Sequence, residues 1–165
     1  MTLFPVQNHV LETTLSPAEV HTVIAGKTTA RKPIIPPARQ THFFWGELQP
    51  QGFHIHHIPG YRNSFSPLIT GKLTAANPGT TLNISMELRP SVRTFNVIWC
   101  CAVATIYLFS LLVAHINQSI HPIGIILPPG MLIFMYLLTH LLFKLGSKAA
   151  LAEIKHLLKD AEKQV

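Results

Sequence analysis

Two long uncharged stretches constrain this chain more than anything else in it. Phe95 to Ala114 gives 20 residues whose only titratable side chains are Cys100, Cys101 and Tyr107. Ile123 to Phe143 gives 21, interrupted only by Gly124, Pro128, Pro129, Gly130, Thr139 and His140. A helix rises 1.5 Å per residue, so each stretch covers about 30 Å, the hydrocarbon thickness of a bilayer. The alternative is a pair of core helices. It fails on size, because 165 residues leave too little chain to cover two helices that are apolar on every side. The pattern predicts a transmembrane hairpin within 95–144, with spans at 95–116 and 123–144.

The placement of charge predicts the orientation. All 13 Lys and Arg lie outside the two uncharged stretches: Arg89 and Arg93 precede the first, Lys144 and Lys148 follow the second, and the loop from His115 to His121 has none. The positive-inside bias then puts both termini in the cytoplasm and the loop outside. Met1 to Val10 has neither the basic start nor the apolar run of a signal peptide, so the first span is expected to serve as the insertion signal. Only 12% of residues are charged, about half the share in soluble domains, which argues against a wholly soluble protein. With 48% hydrophobic residues the chain is not of the disordered class either, and two cysteines make no disulfide scaffold. The net charge of +6 (histidines neutral) reads as topology and as attraction to anionic lipid head groups. No basic stripe with interleaved aromatics is present, so nucleic acid is not an expected partner.

Residues 1–94 read as a small cytosolic α+β domain. Ser16-Pro17-Ala18-Glu19 is a helix start: Ser16 caps, Pro17 suits the first helical position, and Glu19 closes a capping box. Val20, Val23 and Ile24 share a face, and Gly26 is the expected stop. His9 to Leu15 is a candidate strand. Thr28 to Gln40, rich in proline and basic residues, reads as an extended connector. Four strands follow, at 42–48, 53–58, 67–75 and 80–89. Asn77-Pro78-Gly79 suits a type II turn between the last two. In the last strand Leu82, Ile84, Met86 and Leu88 alternate with Thr81, Asn83, Ser85, Glu87 and Arg89, the mark of an antiparallel strand with one wet face. The expected fold class is therefore α+β: an antiparallel meander of four or five strands, a short N-terminal helix, the hairpin, and a C-terminal helix over 145–165. In that last helix Leu151, Ile154, Leu158, Ala161 and Val165 recur at helical spacing, and this apolar face is expected to cover the sheet. Gly146 is expected to break or joint the chain before it. Pro128-Pro129 either kinks the second span or starts its main helix.

Residues that suggest chemistry are few. Ten histidines include His54 and His56, which point the same way on a strand, with His42 on the strand before. A third ligand would make these a metal site, but no Cys-x-x-Cys or His-Glu-x-x-His supports it, and a solvated strand face explains the cluster equally well. Tyr61-Arg62-Asn63-Ser64-Phe65 places Tyr61, Arg62, Asn63 and Phe65 in a connection between strands, where an arginine and two aromatics suit recognition; alternatively they plug the sheet's edge and close a turn. Cys100 and Cys101 fit as small apolar packing residues. Asn96 and His140 lie near the cytoplasmic end of the two spans, and a hydrogen bond between them is expected. No catalytic constellation and no cofactor motif is visible.

Tyr61 to Pro67, then Ile69 and Gly71-Lys72-Leu73, then Glu87-Leu88-Arg89-Pro90 running into Phe95 and Trp99, together with Leu127 to Phe134, resemble a group of uncharacterised small bacterial membrane proteins. The resemblance covers about residues 40–145. It implies a bacterial two-span protein of the inner membrane and carries no activity with it. The function expected is a non-enzymatic, membrane-tethered interaction or ligand-binding module, with the bilayer, another membrane or cytosolic protein, or a second copy as partner. The rivals are an immunity protein acting at the membrane and a small membrane enzyme on a lipid-soluble substrate.

Overall fold

The computed structural model describes residues 4–30, 42–58, 65–117 and 122–163. The chain is α+β, with a six-stranded mixed sheet and three helices. The elements are β1 (Val6–Thr13), α1 (Pro17–Gly26), β2 (Thr28–Thr29), β3 (Phe44–Gln49), β4 (Gly52–His57), β5 (Leu68–Ala75), β6 (Thr80–Glu87), α2 (Pro90–Asn117) and α3 (Pro122–Glu162). Two compact units result: residues 1–89 with 143–165, and residues 90–142.

In the first unit the sheet order is β1-β6-β5-β4-β3-β2. β3 to β6 form the antiparallel meander that alternation predicts, and β1 returns to pair with β6. The short β2 pairs with β3 in parallel, so the sheet is mixed rather than wholly antiparallel. The pleat sorts the side chains as their alternation requires. Phe44, Phe53, Ile55, Ile69, Leu73, Leu82, Ile84 and Met86 are buried on one face, while His54, Lys72, Thr74 and Asn83 are exposed on the other. Gly71 stands opposite Phe53. A methyl group there would sit 2.1 Å from Cζ of the Phe53 ring, so the missing side chain is what lets that ring lie flat across β5. The Asn77–Pro78 bond is cis, and the loop is not the type II turn expected, although Gly79 does take a positive φ of 94°.

Two helices cover the apolar face. α1 begins with the expected capping box: the Glu19 amide donates to Ser16 Oγ, and the Ser16 amide donates to the Glu19 carboxylate at 2.7 Å. The Ser16 amide and, at 2.8 Å, the Ser16 hydroxyl both donate to that carboxylate and hold it below its ordinary pKa. Val20 and Ile24 are its buried residues, and the helix runs through Gly26 to a cap at Lys27. The second cover is the C-terminal part of α3, whose Phe143, Ser147, Ala150, Ile154 and Leu158 are buried at three- and four-residue spacing. Its end is tied to β1, because Glu162 accepts from Thr13 Oγ1 at 2.7 Å and from the Thr14 amide at 3.0 Å.

That cover is not a separate helix. α3 runs unbroken from Pro122 through Gly146 to Glu162, 41 residues, about 60 Å at the α-helical rise. A helix-interior glycine costs about 1 kcal/mol, less than burying Phe143 alone contributes. Pro128 and Pro129 lie inside the helix rather than at its start. Their missing amides leave only the carbonyls four residues earlier, in the first turns of the helix, without intrahelical partners.

In the second unit α2, of 28 residues, starts at Pro90, five residues before the expected span. Val92, Asn96 and Val103 are its buried side chains, a stripe recurring every four and seven residues. Within that stripe Thr139 Oγ1 of α3 donates to Asn96 Oδ1 at 3.3 Å. The expected Asn96–His140 bond is replaced by this one. His140 lies one residue around the helix, so its Nδ1 is 3.0 Å from the Tyr136 carbonyl and its ring 4.1 Å from the Tyr136 ring.

Candidate functional site

The most extensive exposed apolar surface among the described residues comes directly from the uncharged sequence. No Asp, Glu, Lys or Arg occurs from 94 to 143. Among the described residues every exposed large apolar side chain lies between Phe95 and Leu141, apart from Val6, Val10 and Leu145. Ile116 and Ile126 retain 69% and 72% of their surface. Two helices are long and apolar enough to cross a membrane, and only 6% and 11% of their most apolar windows is buried. Core helices of a soluble fold would be mostly covered. Leaving this girdle in water costs on the order of 20 kcal/mol, more than the ~5–15 kcal/mol that stabilises an ordinary domain. An apolar medium removes that cost, and the backbone polar groups are satisfied within the helices.

The second feature is polar and lies on the outer face of the sheet. Register sets Trp45 opposite His56 and Glu47 opposite His54, all four on the face turned away from Phe44, Ile55 and His57. The Trp45 and His56 rings stack at 4.1 Å with 15° between planes. The Arg89 guanidinium lies 5.8 Å from the centre of the Trp45 ring, within cation–π range. Burial pushes the Arg89 pKa down from its ordinary value without removing its charge. Nearby, Lys27 Nζ sits 5.6 Å over the Phe43 ring. A basic and aromatic surface of this kind holds planar or anionic groups by stacking and charge.

The sequence candidates fare unequally. His54 and His56 do share a face, but His54 Nδ1 is engaged with Thr70 Oγ1 at 3.0 Å, and His56 stacks on Trp45. His42 is exposed ahead of β3. Among the described residues no group of three His, Cys, Asp or Glu side chains gathers as a metal site would need. Glu47 and His54 are neighbours on an open face, not the walls of a cleft. Tyr61, Arg62 and Asn63 fall outside the described residues, and Phe65 is half-buried at the start of β5's approach. Sequence reasoning missed the Trp45–Arg89 pairing. The available signal was Trp45 itself, an aromatic on the face that carries Glu47 and Gln49.

One histidine outside the sequence candidates, His57, is chemically distinctive. His57 alternates onto the core face, 9% exposed, with its ring 5.7 Å from that of Phe44. Its Nδ1 has no hydrogen-bond partner among the described residues. Burial depresses its pKa from 6.5 to about 4, so it is neutral at physiological pH.

No family model, curated protein or solved structure matches this chain.

Proposed function

We propose that this is a two-span protein of the bacterial inner membrane, with both termini in the cytoplasm and its α+β domain serving as a non-enzymatic, tethered interaction module. The observation that carries the reading is the uncovered apolar girdle between Phe95 and Leu141, free of Asp, Glu, Lys and Arg and flanked by Arg89, Arg93, Lys144 and Lys148. The basic flanks support the orientation. The Trp45–His56–Arg89 surface supports the interaction role, since it gathers half-buried aromatic rings and a half-buried cation on the outer face of the sheet.

The membrane half is tested by flotation and by alkaline extraction; a monodisperse particle left in the soluble fraction refutes it. Orientation is tested with Cys100 and Cys101 replaced by serine. His115→Cys is expected to react with an impermeant maleimide on intact cells and Lys155→Cys only after permeabilisation; the opposite pattern refutes it. Both positions are exposed, whereas Ser147 is 1% exposed and would stay silent in either orientation. The module half is tested by placing a photocrosslinking side chain at His54. A discrete adduct that disappears in Trp45→Ala is expected, and the absence of any adduct refutes it.

A further inference from the structure

The two edges of the sheet are not alike. β2 is two residues long, a short edge of the kind that resists pairing with other chains. β1 is eight residues, Val-Gln-Asn-His-Val-Leu-Glu-Thr, and pairs with β6 in one continuous register from Val6 to Thr13. It contains no lysine, proline or bulge, the usual defences of an edge strand. Val10 is 63% exposed on a face that is otherwise mostly polar.

The hydrogen-bonding phase of β1 follows from the hairpin between β5 and β6. The Ala76 amide donates to the Gly79 carbonyl at 2.9 Å, so Ala76 and Gly79 form a hydrogen-bonded pair, and such pairs alternate along an antiparallel ladder. Thr81, Asn83, Ser85 and Glu87 therefore bond towards β5, while Thr80, Leu82, Ile84 and Met86 bond towards β1. The Leu73 amide agrees with this phase, since it donates to the Gln51 carbonyl on the β4 side. Register then assigns the main-chain groups of Gln7, His9, Leu11 and Thr13 to β6. Those of Val6, Asn8, Val10 and Glu12 point out of the sheet's edge.

We propose that β1 pairs antiparallel with β1 of a second copy of this chain, about a two-fold axis through Val10, joining two six-stranded sheets edge to edge. A two-fold perpendicular to the sheet keeps each face on its own side, so paired residues must have the same parity. Pairing Val10 with Val10 meets that condition and sets Asn8 opposite Glu12 on the outer face, with His9 opposite Leu11 and Gln7 opposite Thr13 on the inner face. The outward-pointing main-chain groups of Asn8, Val10 and Glu12 match those of the second strand, giving about six new hydrogen bonds. The exposed valines meet each other, and an amide meets the strand's only carboxylate. Shifting the axis to Glu12 would oppose two carboxylates, and shifting it to His9 would set Glu12 against Val6. This self-complementarity favours a second copy over a foreign strand. The pairing goes beyond the membrane reading and does not depend on it.

The full chain in mild detergent, with Cys100 and Cys101 replaced by serine, tests the pairing. Light scattering is expected to give twice the chain mass after subtraction of detergent. Val10→Lys sets two ammonium groups opposite each other, and Asn8→Pro removes an edge donor that β6 does not use. Each is expected to halve the mass with an unchanged circular dichroism spectrum. Independently, a nitroxide on Val10→Cys is expected to show dipolar broadening. The same label on Thr74→Cys is not, because two intervening strands on each side set the labels about 24 Å apart. A monomeric starting protein overturns the proposal. So does a doubled mass that both variants retain, which would place the association elsewhere, or a Val10 label without broadening in a particle of doubled mass.

Discussion

Lowering the pH from 7 to 5 is expected to destabilise the sheet unit by about 2 kcal/mol through His57 alone. Its pKa is near 6.5 in the unfolded chain, the ordinary value, and about 4 in the folded one. A base whose folded pKa is depressed binds fewer protons when folded, so its stabilising contribution is complete above pH 6.5. It is lost as the pH falls through the window from 6.5 to 4. The full shift corresponds to about 3 kcal/mol, and about 2 kcal/mol of it has gone by pH 5. The cause is desolvation, with the ring on the core face beside Phe44. The carboxyls of Glu19 and Glu162, held below their ordinary 4.5 by hydrogen bonds from Ser16 and from Thr13 and Thr14, are present in wild type and His57→Leu alike, so the comparison between the two isolates the histidine. The assay is urea unfolding of the intact protein in mild detergent, followed by circular dichroism at pH 7.5, 6.5, 5.5 and 5. His57→Leu keeps an apolar side chain at the position and has no proton to bind, so its midpoint should hardly move over that range. A wild-type midpoint equally flat, or a His57→Leu slope equal to that of the wild type, refutes the assignment.

Further consequences follow from individual contacts. Gly71→Ala drives a methyl group into the Phe53 ring and should cost about 1–3 kcal/mol, with part regained in the Phe53→Leu double variant; additive losses in a double-mutant cycle would show that the two sites are independent. Ser16→Ala removes the α1 cap and should lower stability by about 1 kcal/mol, read as a shift in urea midpoint. Glu162→Gln weakens the tie between the end of α3 and the Thr13–Thr14 corner; faster hydrogen exchange of the Thr14 amide is expected, and unchanged exchange refutes the tie. Thr139→Val removes the hydroxyl that Asn96 accepts from and should destabilise the hairpin by about 0.5–1 kcal/mol in a denaturing-detergent titration.

Features that depend on neighbours a few residues away were legible in the chain itself. Hydropathy alone marked the two apolar helices, because an uncharged 20-residue run can satisfy its backbone hydrogen bonds within itself only as a helix. The Ser16–Glu19 cap and the alternation of β6 were equally local, since a cap spans three residues and a pleat repeats every two. Tertiary packing decided the rest. Gly146 reads as a break, yet α3 continues through it, because burying Phe143, Ala150, Ile154 and Leu158 on the sheet outweighs a local backbone preference. The choice of β1 as the partner of β6, and of two residues at Thr28–Thr29 as a parallel edge, depends on which faces can be covered at once, and no local pattern encodes that. The same holds for polar groups. Asn96 announces itself in an apolar span, but whether it meets Thr139 or His140 turns on the helix phase, where one residue is 100° of rotation. Trp45 and Arg89 lie 44 positions apart in sequence and meet only because the meander brings β3 and the residue after β6 onto one face of the same sheet.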